Sequence, residues 1–409
     1  MRAILSAAAI VLTVFLGKPV RPGLIPGDRL IANLTVRLKK EPRNAALYYL
    51  IGRAHYATFS RAVESAWVKP GEVEVFGATG DNPAFYSIQG NIYPWDSKSA
   101  VRDTPDNRRH VAGAVRNLRM ALDLATKSNT FDDPALAHLT LACAFDSGAL
   151  LAPKVPLAPP YDHLTTKSQW RAVAANEYLL AFQEAIVKDG KLEHQPIFGL
   201  ETLVAFEAGQ SYLRLQPHAK ESIAVRAGMD RLKKLPHSDM VTPLILDLTD
   251  SKPLSSLLEP AHQVAFDLDG SGRPQTYGWV KPTTAFLVWD PQWEGSIRSG
   301  RQLFGNATWW MLWPNAYSAI DALDDNHDGW LTGNELHGLA LWYDRNGNGR
   351  CDPGEVVPIE QTPISALRTS FDGREGNSFV STKGVLLKDG RVLPTYDWVT
   401  QSYVGIHTK

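Results

Sequence analysis

The sequence predicts an α+β protein of more than one domain, with an α-helical N-terminal part followed by a part made of short strands and loops. Three observations carry this. Apolar residues recur every three or four positions across much of residues 28–235. From Pro236 onward the pattern changes to short apolar runs bounded by Gly, Pro, Asn and Asp. Within that second part, residues 324–355 hold two acidic loops of the same design in close succession.

At 409 residues, 44% hydrophobic and 10% aromatic, the chain has material for two or three cores. A net charge of -1 leaves no chain-wide field to draw nucleic acid or an anionic membrane, so no nucleic-acid partner is expected. Acids are concentrated between Glu259 and Glu355, which suits a segment that holds cations. The two cysteines, Cys143 and Cys351, fall in different expected domains and imply no disulfide framework.

Met1-Arg2 and the apolar run 3–16 resemble a secretory signal, so residues 1–17 are expected to be a signal peptide and the protein to be secreted, periplasmic or on the cell surface. The run is too short to span a bilayer comfortably. Phe15, Lys18 and Arg21 make a poor cleavage site, and an uncleaved N-terminal anchor is the alternative.

After a Pro/Gly-rich exit at 19–27, Leu30, Leu34 and Leu38 mark a helix within 28–61. In the following stretch Tyr48, Ile51, Gly52 and His55 meet the first-helix pattern of a tetratricopeptide repeat, which this segment resembles. The resemblance returns at 134–145 and at Ala205, Ala208, Gly209 and Tyr212, with second helices expected at 111–125, 170–187 and 217–235. It implies stacked helical hairpins over 28–235 and an unidentified protein partner for them. Insertions at 68–108 and 151–164 break the period, so an irregular helical bundle is the competing reading. His55 and His138 stand at packing positions and are read as core residues.

In the second part, Pro243 marks 241–248 as an edge strand. Residues 384–393 read as a hairpin closed by a two-residue Asp389-Gly390 turn. Tyr396, Trp398 and Val399 would pin this tail, 369–409, to the loop-bearing module, 236–368. The aromatic run Trp309-Trp310-Met-Leu-Trp313 is read as core rather than as a ligand platform.

The loops carry the chemistry. Asp324-Asp-Asn326-His-Asp328-Gly329-Trp330-Leu-Thr332-Gly-Asn-Glu335 and Asp344-Arg-Asn346-Gly-Asn348-Gly349-Arg350-Cys351-Asp352-Pro-Gly-Glu355 both satisfy the calcium-loop pattern at every constrained position. A hard divalent cation takes six to eight oxygens, and such a loop supplies them from alternate positions of one turn. The expected ligands are Asp324, Asn326, Asp328, the Trp330 carbonyl, Thr332 and Glu335, then Asp344, Asn346, Asn348, the Arg350 carbonyl, Asp352 and Glu355. Gly329 and Gly349 fall where the backbone turns sharply, and Leu331 and Cys351 where a residue packs inward. A third loop begins at Asp267, Asp269 and Ser271 but has Gly278 where Glu should close it, which makes it a possible weak metal site. A fourth, from Asp290, has Arg301 at the closing position and is expected to be a metal-free turn.

Taken in order, the runs 266–272, 278–280, 286–290, 300–305, 319–325, 341–344 and 354–356 resemble the EF-hand-like calcium-repeat module of exported bacterial proteins, among them adhesins and haemolysin-type proteins with RTX repeats. Coverage is about residues 240–368. The resemblance implies calcium-stabilised folding outside the cytoplasm and brings no catalytic activity. The glycine-rich nonapeptide repeat of many RTX proteins is absent, so toxin activity is not implied. Only eight residues separate Glu335 from Asp344, and one short helix is expected to serve both loops. That favours a structural role over a sensor, whose opening needs two helices.

No H-E-x-x-H, C-x-x-C, G-x-S-x-G, P-loop or dinucleotide fingerprint occurs. The expected function is therefore calcium binding in an exported, non-enzymatic protein, with Ca2+ as its cofactor and the helical half as its interaction domain. The alternative is a secreted hydrolase with structural calcium sites.

Overall fold

The computed structural model describes residues 25–60, 103–125, 133–189, 201–232, 240–249, 253–270 and 274–402, with two-residue strands at 19–20, 66–67, 197–198 and 237–238. The expected signal at 1–17, Ser271 and most of the 68–108 insertion lie outside the described residues. The fold is mixed α+β, with helices in the N-terminal half and a curled antiparallel sheet in the C-terminal half.

Among the described residues seven helices make the first half: α1 Gly27–Lys40, α2 Ala45–Ser60, α3 Pro105–Ala125, α4 Pro134–Gly148, α5 Lys167–Asp189, α6 Glu201–Leu215 and α7 Glu221–Leu232. Each packs on the next in chain order. Small residues sit where the helices meet, because a side chain there would collide with the neighbour. A Cβ on Gly52 would come within 2.7 Å of Leu118, and one on Gly113 within 2.6 Å of the His55 ring. His55 is buried as expected, its Nδ1 3.0 Å from that of His110, and burial together with that neighbour holds it at a pKa of about 3. His138 is partly exposed and bonds Glu177 at 2.5 Å. No helix among the described residues is long and apolar enough to cross a membrane.

In the second half the main sheet runs, edge to edge, Trp330–Thr332, Ile364–Arg368, Ser378–Leu387, Val392–Asp397, Leu244–Leu246, Ala285–Trp289, Leu339–Trp342 and Val356–Pro358. Gly373–Glu375 pairs alongside Ser378–Leu387. Leu244–Leu246, Ala285–Trp289 and Leu339–Trp342 are buried along their whole length, and they are continuous apolar runs. Leu339, Leu341, Leu287 and Trp289 join the core shared with the helices and with Phe304 to Trp313, whereas Ala340, Trp342, Phe286 and Val288 face a second core. A hairpin of Leu258–Phe266 and Gln275–Val280 contributes Val264, Phe266, Tyr277 and Trp279 to that second core. The aromatic run is core as expected, with Trp309, Trp310 and Trp313 all buried.

Three expectations are corrected here. The connector between the loops is not a helix. Gly333 to Leu336 form a single 3-10 turn, Gly338 takes φ +88°, and Leu339–Trp342 is a strand between Ala285–Trp289 and Val356–Pro358. The left-handed glycine ends the helical turn, and the apolar run beyond it suits a doubly buried strand. Next, 241–248 is not one edge strand. Pro243 splits it, its carbonyl accepting the Trp398 N–H at 2.9 Å, and Leu244–Leu246 continues in the sheet interior. Finally, the hairpin at Asp389-Gly390 exists, but Leu387 and Arg391 close it, leaving Lys388, Asp389 and Gly390 as its loop with Gly390 left-handed at φ +87°. Its two strands lie within the sheet and Tyr396 and Trp398 in the second core, so residues 369–402 supply interior structure.

Candidate metal centre

The two loops fold into the same turn, and the same positions make it. Asp324 accepts N–H groups from His327 at 2.6 Å and Gly329 at 2.8 Å. Asp344 accepts those of Asn348 at 3.1 Å and Gly349 at 2.8 Å. Asn326 Oδ1 takes the Asp328 N–H, and Asn346 Oδ1 that of Asn348. Asp328 then takes the Trp330 N–H, and Asn348 that of Arg350. The closing glutamates reach back alike: Glu335 accepts from Asp325, Asn326 and Thr332, and Glu355 from Arg345 and Asp352. Each chain reversal uses two left-handed residues, His327 and Gly329 at φ +61° and +85°, Gly347 and Gly349 at +68° and +69°. This is why glycine stands at the second of each pair.

Burial separates these carboxylates from ordinary surface acids. Asp324, Glu335, Asp344 and Glu355 are 1%, 7%, 0% and 4% exposed. Among the described residues none of them is paired with a Lys, Arg or His side chain. Backbone amides hold them, with the Trp279 indole donating to Asp344 Oδ2 at 2.7 Å. Burial pushes the Asp344 carboxyl above the usual carboxylate range, and the charge of Glu355 adds to the rise. Anions withdrawn from water without a countercharge are costly, and an oxygen-only donor set suits a hard divalent cation.

The other expected ligands are placed differently. Asn326, Asp328, Thr332, Asn346, Asn348 and Arg350 are exposed, and Trp330 and Asp352 are partly so. Asp352 accepts the side-chain amides of Asn346 at 2.7 Å and Asn348 at 2.8 Å, which hold its carboxyl below the usual range. Asp328 likewise takes the Asn326 amide at 3.0 Å. Among the described residues no three His, Cys, Asp or Glu side chains converge into a metal-holding group. Each loop thus has two buried carboxylates at its ends and a more exposed third turned toward a neighbouring amide. Leu331 is fully buried and Cys351 half-buried at the matching inward positions.

The incomplete loops carry a fixed cation. Asp267 and Asp269 are buried, and burial followed by the adjacent Asp269 charge pushes the Asp267 carboxyl well up. Arg301, expected to spoil the fourth loop, instead reaches the third: its Nε donates to the Gly270 carbonyl at 2.6 Å, and its guanidinium lies 4.3 Å from the Trp310 ring centre. Its positive charge acts on both Asp267 and Asp269. The fourth loop keeps the turn, with Asp290 accepting the Glu294 and Gly295 N–H groups and Trp293 and Gly295 left-handed.

Sequence reasoning missed Trp279 and the row Arg29, Asn33 and Arg37 on α1. Trp279 carries no local signal, because the indole reaches its acceptor from a different hairpin.

The SPM domain model matches residues 244–400, less than half the chain. The match opens on the Leu244–Leu246 strand and spans both loops. The chain is also similar to the iron-regulated protein FrpA of Neisseria meningitidis serogroup C, at 27% identity over 172 residues, which is 38% of this chain and 15% of that relative. The chain therefore spans a small part of FrpA's length.

Proposed function

We propose that the C-terminal half is an EF-hand-like calcium-binding module, as in exported calcium-repeat proteins, in which ions at 324–335 and 344–355 act as structural staples. The protein is then exported and non-enzymatic, with its repeat-like helical half serving protein interaction. The observation that carries the reading is the set of four buried loop carboxylates that, among the described residues, form no ion pair with a Lys, Arg or His side chain.

The position of the loops in the sheet supports a structural role. The first loop contains one edge strand, Trp330–Thr332, and the second runs directly into the opposite edge strand, Val356–Pro358. Edge strands are held on one side only and fray first, so an ion fixing the turn beside each would stiffen both margins of the sheet. Extracellular calcium is high enough for modest affinity, on the order of 0.1–1 mM, to keep such sites filled. For the helical half, the glycine-lined crossings at Gly52 and Gly113 are what stacked hairpins require.

Terbium tests the metal assignment, since Trp330 lies within the first loop and serves as its antenna. Excitation of the purified protein at the tryptophan band is expected to give terbium emission that calcium displaces and that falls in Asp324→Ala/Glu335→Ala. Undiminished emission in that variant contradicts the assignment of the first loop.

A further inference from the structure

The outer face of the first loop is the seat of helix α1. Arg29, Asn33 and Arg37, four residues apart, line one face of that helix. Arg29 donates through Nε to Asp325 Oδ1 at 2.8 Å, and through Nη2 to the carbonyls of Leu323 at 2.6 Å and Glu335 at 3.4 Å. The buried Asn33 amide donates to the Ala322 carbonyl at 3.1 Å and to Asp325 Oδ1 at 2.8 Å. Arg37 pairs with Asp321. All these acceptors belong to the entry, second position or exit of the loop.

Asp325 joins the two systems. Its N–H is held by the Glu335 carboxylate at 2.9 Å, while its side chain is held by Arg29 and Asn33. One residue therefore links the group that closes the loop to a helix whose Leu30 and Leu34 are buried in the helical core.

We propose that calcium occupancy of the first loop and the seating of α1 are coupled, so that the ion locks this helix onto the module and the helix raises the loop's affinity. The coupling rests on the calcium reading of the loop.

Two effects oppose one another in setting its sign. Arg29 brings a positive charge toward a cation site and weakens it, but Asp325 neutralises that charge at 2.8 Å and both groups are partly exposed, so the residual field is screened. Against this, α1 grips both ends of the loop and leaves less disorder for the ion to remove. Ordering therefore prevails, and removing the clamp weakens calcium. By reciprocity, removing calcium loosens α1 by the same factor. Arg53 of α2, whose guanidinium makes two hydrogen bonds to the Trp310 carbonyl, keeps the halves together independently, so the effect is confined to α1.

The test uses the full chain with the second loop silenced by Glu355→Gln. Calcium titration calorimetry compares this parent with the same protein carrying Arg29→Met and Asp325→Asn, which removes the ion pair at constant net charge. About tenfold weaker binding is expected. Asn33→Ala, which removes hydrogen bonds and no charge, is expected to give about threefold. Hydrogen exchange supplies the reciprocal reading: chelation of the parent is expected to speed exchange in 27–40 and leave 134–148 unchanged. Binding of unchanged affinity in both variants, or exchange in 27–40 that ignores calcium in the parent, overturns the coupling alone. Absence of calcium binding to the Glu355→Gln parent overturns the calcium reading and the coupling with it.

Discussion

The two loops share a turn and most of the hydrogen bonds that make it, and they differ in what holds them from outside. The first is gripped by a helix far away in the chain, through Arg29 and Asn33. The second is gripped by the hairpin beside it: Trp279 bonds Asp344, His262 Nε2 lies 2.7 Å from the Gly347 carbonyl, and Gly349 lies flat against Val264 and Ala265. The contrast teaches that one local sequence pattern sets the turn, whereas the setting decides what each turn does. The first communicates with the helical half and the second consolidates its own core.

Glycine substitutions should separate the two settings most strongly. A Cβ at Gly349 would stand 2.2 Å from Val264 Cγ1 and 2.9 Å from the Ala265 carbonyl, at φ +69°. A Cβ at Gly329, at φ +85°, would meet no atom within 4 Å. Gly349→Ala therefore combines left-handed strain with overpacking and is expected to cost about 3–5 kcal/mol. Gly329→Ala carries strain alone, about 1–2 kcal/mol. Urea denaturation in calcium measures both, and equal losses would mean that the hairpin does not brace the second loop.

A smaller effect is expected from the indole. Trp279→Phe keeps a ring in the cluster with Phe266, Phe286 and Trp342 but removes the donor to Asp344. Calcium affinity at the second loop should fall about tenfold, as for other groups that orient a metal ligand, with the first loop unchanged. Titration in Glu335→Gln and Glu355→Gln backgrounds distinguishes the sites. A matching loss at the first loop would show that Trp279 acts through the whole core rather than through Asp344.

What the sequence made legible follows from how local each constraint is. The turns were readable because Asp324, Gly329 and Glu335, or Asp344, Gly349 and Glu355, bond within their own loop. The helices were readable from periodicity, as Leu30 and Leu34 show by their full burial. The connector was misread because Leu339-Ala-Leu-Trp342 is apolar throughout, and a short run of that kind fits a buried helix or a buried strand equally well. Leu244–Leu246 was misread because Pro243 disqualifies only its own position, not the residues after it. The clamp was out of reach altogether: Arg29 and Asp325 are 296 positions apart, and nothing near either residue announces the other. Arg301 is an instructive middle case, since the sequence shows a cation at the closing position of the fourth loop but not its destination beside Asp267 and Asp269.

The same contrast points to Asp397, which is buried like the loop carboxylates and has no loop around it. It accepts the Ala316 N–H at 3.3 Å, and burial pushes its carboxyl up to about 7. Burial with a single backbone amide beside it holds the proton on this carboxyl to higher pH than on a surface acid.

Thermal melting of the full chain, with saturating calcium and with chelator, tests the central claim most directly. Calcium is expected to raise the melting temperature of the C-terminal half by about 5–10 °C, and Glu335→Gln/Glu355→Gln is expected to abolish the rise. A chelated protein that melts no lower than the calcium-saturated one would contradict the account.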